Sequence, residues 1–309
     1  MTYRVVWFKR DLRLHDHAAL AHAAQQGPVL CLYVVEPGLW AQPDSALQHF
    51  EFVHESLIEL HNDLQALGGS LVVRTGHAVQ VLSDLYAQAP FIELVAHQET
   101  GNAFTYERDL QVGAWCRSVG VGWTEMPQFG VVRRLKSRNT WQALWEAHMG
   151  APQAQLPALH FVTPAHHSGP EAMTPPPGLQ HNPPQRQSGG RSQALKTLHS
   201  FQNARALSYR GGISSPLSSP TACSRISTYL AWAASACARW CKAPAPRSMP
   251  CRRRPLGTVL VWSASSAACI GIATSSKSWK VSRRLNGATC TGVTTVCAKT
   301  AGTTLTLLP

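Results

Sequence analysis

The segment Cys223-Ser224-Arg225-Ile226-Ser227 sets two hydroxyls and one cation one residue before the apolar pair Tyr229-Leu230. Small hydroxyl side chains at a helix start, with the unpaired backbone N–H groups and the positive end of the helix dipole, suit an anion such as a diphosphate. An ordinary capped helix has the same pattern, and both readings stand on these residues alone. Lys9-Arg10-Asp11 and Arg13 crowd charge immediately after the β-rich run Tyr3 to Phe8, which by itself reads as a solvated post-strand loop. His15-Asp16-His17 offers the ligand types of a metal site. Trp141 and Trp145 stand four apart, on one helix face, which suits core packing better than an electron relay.

The first 130 residues alternate strand and helix signals. Val29 to Val35 is a nearly continuous apolar strand closed by Glu36-Pro37-Gly38, as expected of a parallel sheet covered on both faces. Leu47, Phe50, Val53, Leu57, Leu60, Leu64 and Leu67 recur every three or four positions, predicting a long helix with Asp44 or Ser45 as N-cap and Gly68-Gly69 as its stop. Strands at 70–74, 92–96 and 121–124 and helices at 78–87 and 104–118 complete the pattern. The fold class is therefore α/β: a doubly wound, parallel five-stranded sheet. Ligands of such sheets sit beyond the strand carboxyl ends, a rim that here includes Phe8-Lys9-Arg10, Val35-Glu36 and His97-Gln98-Glu99-Thr100.

A further helix begins at Asn139. Residues 151–190 hold nine prolines and read as an extended interdomain linker. Ser192 to Leu207 is helical again, with Leu195, Leu198, Phe201 and Ala204 on one face. The expected organisation is an α/β domain at 1–135, helix and Pro-rich linker at 136–190, the start of a helical domain at 191–232, and a tail at 233–309.

All 16 acidic residues precede residue 172, where 11 Lys and Arg leave a net charge of −5; residues 172–309 carry 17 Lys and Arg and no acid. Such a basic half points to nucleic acid or an anionic surface. Six of the nine cysteines crowd between Cys237 and Cys297, yet no C-x-x-C occurs, so no metal site is expected. No run of 18 apolar residues and no signal region is present, which predicts a cytoplasmic chain with no membrane span, expected to be a monomer.

The opening VVWFKRDLRLHDHAAL resembles the start of the photolyase and cryptochrome flavoproteins, whose first strand runs into W-F-R-R-D-L-R…D-N-x-A-L. Lys9 replaces one Arg, and His17 stands where Asn is usual. HQETGNAFTYERDLQVGAWC resembles the family's fourth strand and following helix, with Arg108-Asp109 at the expected spacing. YRGGISSPLSSPTACSRISTYLAW resembles the start of the helical FAD-binding domain, whose T-S-x-L-S loop holds the flavin phosphates. The resemblance, covering 3–232, implies a light-driven flavoprotein: a deoxyribodipyrimidine photo-lyase, a carbon–carbon lyase that repairs pyrimidine dimers in damaged DNA, or a cryptochrome that signals in blue light. It implies FAD as cofactor, with Tyr209, Cys223, Ser224, Arg225, Ile226 and Ser227 as cofactor-binding residues. A second, antenna chromophore such as a folate would meet Lys9 and Glu99. Asp16 falls on a family position with a capping role, which removes the metal reading of its neighbours.

After Trp232 the pattern stops. If one base is missing just after the Trp232 codon, codons for residues 233–242 can be read in the restored frame as GCLSVREVVQ, and those for 269–280 as LHWHCHFIQKLE, both similar to helices of the family's flavin domain. Residues 233–309 are thus expected to be an out-of-frame tail whose Ser/Thr/Ala stretches bury too little surface to offset chain ordering. This chain is then expected to bind FAD weakly or not at all and to be inactive. The competing readings are a stand-alone nucleotide- or pterin-binding α/β domain, and a basic DNA-binding module in 172–309 that uses Arg252-Arg253-Arg254 on phosphates.

Overall fold

A computed structural model describes residues 2–128, 131–133, 135–162, 164, 168–212 and 214–234. The tail expected from residue 233 therefore lies outside the described residues except for Ala233 and Ala234, as do Arg252-Arg253-Arg254. No helix among the described residues is long and apolar enough to cross a membrane.

Five parallel strands, β1 (Arg4–Phe8), β2 (Val29–Val35), β3 (Leu71–Thr75), β4 (Glu93–His97) and β5 (Gly122–Met126), form one sheet in the order β3-β2-β1-β4-β5. The chain starts in the middle, winds outward to β3, then crosses back past β1 to β4 and β5. The reversal leaves a topological switch point between β1 and β4. Val6 aligns with both Cys31 and Val95.

Every residue of β2 is buried. Its odd-numbered residues, Val29 to Val35, join Val6, Phe8 and Val73 on one face, covered by α1 (Ala18–Gln25) and α3 (Leu47–Ala66) through Leu20, Phe50, Val53, Leu57 and Leu64. Its even-numbered residues join Val5, Trp7 and Leu94 on the other, covered by α4 (Ala78–Gln88) and α5 (Ala103–Val119) through Leu82, Leu85, Val112 and Cys116. The absence of alternation in the sequence is thus the signature of two covered faces. A single turn, α2 (Pro37–Trp40), follows β2.

Two expected caps differ. Helix α3 starts after Ala46, which makes no side-chain cap bond. Asp44 instead accepts from Asn102, and the Ser45 hydroxyl donates to the Leu39 carbonyl. The orphan N–H groups of Leu47 and Gln48 donate to the Gln180 and His181 carbonyls, 2.8 and 3.1 Å away, so the Pro-rich segment does the capping. At α1 the cap is His17, whose Nδ1 accepts from the Leu20 N–H at 2.9 Å; Asp16, at φ 54°, accepts from the Ala154 N–H. A neighbour in sequence takes the role because the left-handed turn at Asp16 sends its carboxylate toward the segment after α6 (Trp141–Gly150).

The Pro-rich segment is no free spacer. Its His160 carbonyl and Val162 N–H both bond to Val29, the Ser168 carbonyl accepts from Val73, and the Phe161 ring lies over Gly69. Farther on, Arg186 pairs with Glu55 at 2.5 Å, and the N–H groups of Gly189 and Gly190 donate to Glu55 and Ser56. The chain then enters α7 (Arg191–Asn203), a 3-10 turn at Arg205–Ser208, and the short helices α8 (Tyr209–Gly212), α9 (Ser219–Ala222) and α10 (Ser227–Ala231). The helix expected to reach Leu207 ends at Asn203, because the Arg205 guanidinium folds back onto the Thr197 carbonyl and the Ser200 hydroxyl.

Gly189 marks the tightest approach: a Cβ there would stand 2.0 Å from the Phe52 carbonyl oxygen and 2.6 Å from the Ser56 hydroxyl. Because the obstacle is backbone, it cannot yield by a rotamer change. Gly189→Ala is expected to lower unfolding free energy by about 1–3 kcal/mol, the usual cost of overpacking, read as a lower urea midpoint. An unchanged midpoint would mean that the segment does not seat on α3.

Candidate functional site

Two polar centres follow from this fold: one at the carboxyl rim of the sheet, and one where α7 meets the loop before α10.

At the rim, β1 ends in Lys9-Arg10-Asp11, β2 in Glu36, β4 in His97 and Glu99, and β5 delivers Glu125. Arg108 reaches them from α5. Its Nη1 donates to Glu36 at 2.7 Å, its Nη2 donates to Glu99 at 2.6 Å and to Asp109 at 2.9 Å, and its guanidinium lies 4.8 Å over the Trp7 ring. Lys9 pairs with Asp109 at 3.2 Å, Arg10 with Glu99 at 2.9 Å, and Arg133 with both Glu125 and Asp109 at 2.8 Å. Four cations thus face the four carboxylates Glu36, Glu99, Asp109 and Glu125. Burial opposes ionisation of Glu99 and Asp109, but Arg108 and Lys9 outweigh it; Glu99 is lowered, and Asp109 falls to about 2. At Glu36 burial wins and the pKa is raised, in keeping with an Oε1 that has no hydrogen-bond partner.

Lys9 and Glu99, the residues expected at an antenna chromophore, therefore lie in one network, joined through Asp109 and Arg108. Both side chains are buried, and both charged groups are held by ion pairs.

Deeper in the same rim, Asp11 accepts from the Lys9 N–H at 2.6 Å, while His97 Nδ1 and His17 Nε2 lie 2.7 and 2.9 Å from its Oδ2. All three side chains are fully enclosed. Burial opposes the Asp11 charge, but the two imidazoles outweigh it and hold the carboxyl well below its ordinary value. Burial lowers His17; burial and the neighbouring His17 lower His97 to about 3. The composition is that of a metal site, but the tautomer is not. His17 Nδ1 already accepts an amide proton, whereas a metal-bound imidazole offers an N–H from its second nitrogen. His97 Nδ1 hydrogen-bonds Asp11, His17 Nε2 lies against the same oxygen without a hydrogen bond, and burial favours the neutral form of both rings.

The second centre is an open cleft of about 380 Å³ lined by Gln187, Lys196, Thr197, Ser200, Arg205, Pro220, Thr221, Arg225 and Tyr229. No carboxylate lines it among the described residues. Of the expected flavin-binding residues, Arg225 alone borders this cleft. Arg225 sits at φ 55°, a left-handed conformation that costs a non-glycine residue about 1–2 kcal/mol, and its carbonyl accepts from Gln187 at 2.7 Å. The carbonyls of Cys223 and Ser224 accept from Arg205. Ile226 turns into the core that α3 shares with Tyr229 and Leu230, and Ser227 opens α10 at the surface. The N-cap position of α10 is Ile226 and makes no side-chain bond. Tyr209 packs edge-on against Phe201, ring centroids 5.6 Å apart.

Sequence reasoning missed Lys196, Thr197, Ser200 and Arg205 because α7 reads as an ordinary amphipathic helix. The available signal was the spacing of Lys196 and Ser200, four apart and off the Leu195-Leu198-Phe201 face, in a half-chain without acids. His97 was visible as a rim residue and Asp11 as part of the charged stretch after β1, but their meeting with His17 was not.

Residues 4–133 match the DNA photolyase family model. Among curated proteins, the chain is similar to Cryptochrome DASH of Gloeobacter violaceus, 32% identical over 114 residues, 35% of this chain and 23% of that protein. It is also similar to deoxyribodipyrimidine photo-lyase of Agrobacterium fabrum, 39% identical over 85 residues, 27% of this chain and 17% of that protein. These matches span about a fifth of the relatives' lengths. Among solved structures, the archaeal photolyase of Sulfolobus tokodaii, described with two FAD molecules, aligns at a TM-score of 0.62 and 19% identity over 78% of this chain and 55% of its own. A bacterial class III photolyase from Agrobacterium tumefaciens aligns at 0.62 and 20% identity over 92% and 60%.

Two outcomes test the rim. Arg108→Ala leaves buried Glu36 without its cation and removes one of those shared by Glu99 and Asp109, and should cost about 3–5 kcal/mol of stability by urea denaturation; a loss below 1 kcal/mol would mean that the network is not closed as described. His17 and His97 are neutral when folded but titrate near pH 6.5 when unfolded, so the unfolded state binds more protons below that pH. Stability should therefore fall as pH drops from 7 to 5, His97 alone approaching about 1.4 kcal/mol per pH unit and His17 adding to the slope. His17→Asn should make the slope shallower; an unchanged slope would refute a neutral His17.

Proposed function

We propose, from the match of residues 4–133 to the DNA photolyase family model, that this protein derives from a light-driven flavoprotein acting in repair of pyrimidine dimers in DNA or in blue-light signalling. The observation that carries this is the family match of the α/β domain, continued in one fold by a segment packed on its α3 face. Tyr229 lies against Phe52 and Trp232 stacks on Trp40, centroids 5.4 and 6.2 Å apart.

In this reading the loop 223–227 and Tyr209 hold FAD, which supplies light absorption and the transferred electron when bound. The residues fit a phosphate-bearing group in kind: Ser224 and Ser227 carry hydroxyl donors, and Arg225 brings a cation to a surface without acids. The chain's own part is to bind, orient and exclude water. Lys9 and Glu99 border an antenna chromophore; their present pairing with Asp109 and Arg108 means that such a ligand would exchange contacts with a closed network. Damaged DNA is the partner of the repair reading.

The same reading holds that the coding frame is lost after Trp232. The flavin domain would then lack everything C-terminal to its phosphate loop, leaving FAD weakly held and the chain without repair activity.

The test compares two chains, the present one and one with a single base restored after the Trp232 codon. The restored chain should purify with a flavin spectrum and bind FAD stoichiometrically, while the present chain binds at least about tenfold more weakly, having lost most of the contacts that offset the cost of association. A flavin spectrum in the present chain would overturn the frame-loss reading. No FAD binding by either chain would overturn the flavoprotein assignment. Light-dependent dimer splitting by the restored chain separates repair from signalling.

A further inference from the structure

We propose that Arg10 is a coupling residue: whether Glu99 holds it at the rim decides how firmly the end of α10, and with it the loop 223–227, is seated on the α/β domain. What this would regulate, the hold on FAD, rests on the proposed function; the coupling itself is a property of the chain with no ligand bound.

Arg10 has partners in two parts of the molecule. Its Nε donates to Glu99 Oε1 at 2.9 Å, and its guanidinium lies 4.7 Å from the centre of the Trp232 ring. Its carbonyl accepts from Gln128 at 2.6 Å, which fixes the backbone. The side chain is 26% exposed, and among the described residues Glu99 is its only ion-pair partner. Without that carboxylate, rotamer entropy favours a long cationic chain turning to water, away from the indole.

The other supports of Trp232 start at the same rim. Trp40 stacks on it with ring planes 16° apart, and the Trp40 N–H donates to the carbonyl of Glu36, the residue that ends β2. Arg108 holds Glu36 and Glu99 together. The Leu12 N–H donates to the Trp232 carbonyl at 3.2 Å, and Arg13 donates to the Ala233 carbonyl at 3.2 Å. The end of α10 is thus held by residues 10, 12, 13 and 40, all from the two connections that leave the rim after β1 and β2. Ile226, in the loop before α10, shares the core of Tyr229 and Leu230, so that loop follows the helix. A group that draws Glu99 away from Arg10 therefore loosens α10 and the loop. By linkage, loosening α10 weakens the hold on Glu99 equally.

Amide hydrogen exchange of the full chain, followed residue by residue, tests this. The Leu12 N–H reports the join directly, because its acceptor is the Trp232 carbonyl; Trp232 and Ala234, bonded to Thr228 and Tyr229, report α10. The amides of β2 report opening of the whole domain. Relative to β2, Arg10→Gln should speed exchange at Leu12, Trp232 and Ala234 about tenfold, the scale of one partly desolvated cation–π contact. Glu99→Gln should speed the same amides by a similar factor and should add nothing when Arg10→Gln is already present. Unchanged Leu12 and α10 amides in Glu99→Gln overturn the proposal. So does an effect of Glu99→Gln that persists in the Arg10→Gln chain, and so does a rise no larger than that of β2. Should Glu99→Gln not fold, Trp232→Leu gives the test from the other side. Exchange at the Gln98 N–H, bonded to the Met126 carbonyl beside Glu99, should then rise relative to β2; an unchanged Gln98 amide overturns the coupling. None of these measurements uses FAD, so failure of the flavoprotein reading leaves them standing, and an uncoupled α10 leaves FAD binding to be decided by its own titration.

Discussion

Ionised groups at the carboxyl rim of the sheet must be neutralised where water cannot reach them, and much of the α/β domain is arranged around that requirement. A buried carboxylate without a partner costs several kcal/mol; Glu36 depends on Arg108 alone, while Glu99 shares it with Arg10 and Asp109 shares it with Lys9 and Arg133. Arg108 must in turn be fixed by α5, which closes on β4 and β5 through Val112 and Cys116. Lys9 and Arg133 then balance what Arg108 leaves over. Because β1, β2, β4 and β5 all end in this cluster, their ends are fixed relative to one another by charge as well as by backbone pairing.

The Asp11 cluster obeys the same rule with protons in place of guanidinium. His17 serves three purposes at once: it caps α1, it faces the Asp11 carboxylate, and its ring packs against Phe8 and His97. That combination fixes its tautomer, and the tautomer decides against metal. A change at one such residue is felt at the helix start, the strand end and the charge balance together.

The helical segment is attached by different means. Arg10, paired with Glu99, also lies 4.7 Å over the Trp232 ring, and the Trp232 and Ala233 carbonyls accept from the Leu12 N–H and from Arg13. Aromatic stacking on Trp40 and burial of Tyr229 add apolar contact. The rim and the helical segment thus share residues, and the Pro-rich segment, by capping α3 and pairing with Glu55, holds the connection against the sheet side of the molecule.

Strand and helix placement was legible in the residues because two-sided burial leaves an unmistakable mark: β2 is apolar at every position, and α3 repeats Leu, Phe and Val at helical spacing. Arg108-Asp109 could be placed on α5 by motif. Caps were misjudged at α3 and α1, since a carbonyl 133 positions away, or a ring one residue along, can satisfy an N–H as well as the nearest Asp or Ser. The cleft was invisible for a similar reason. Lys196 and Arg225 are unremarkable in their own helix and loop, and only the fold of the Arg205 turn brings the two walls together. Local chain chemistry determined which segments become strands and helices, because periodicity and propensity act over a few residues. Which charges meet, how His17 comes to lie between Asp11 and the Leu20 N–H, and where the cleft beside α7 opens were decided by tertiary packing alone, because those depend on distances between residues that the chain itself keeps far apart.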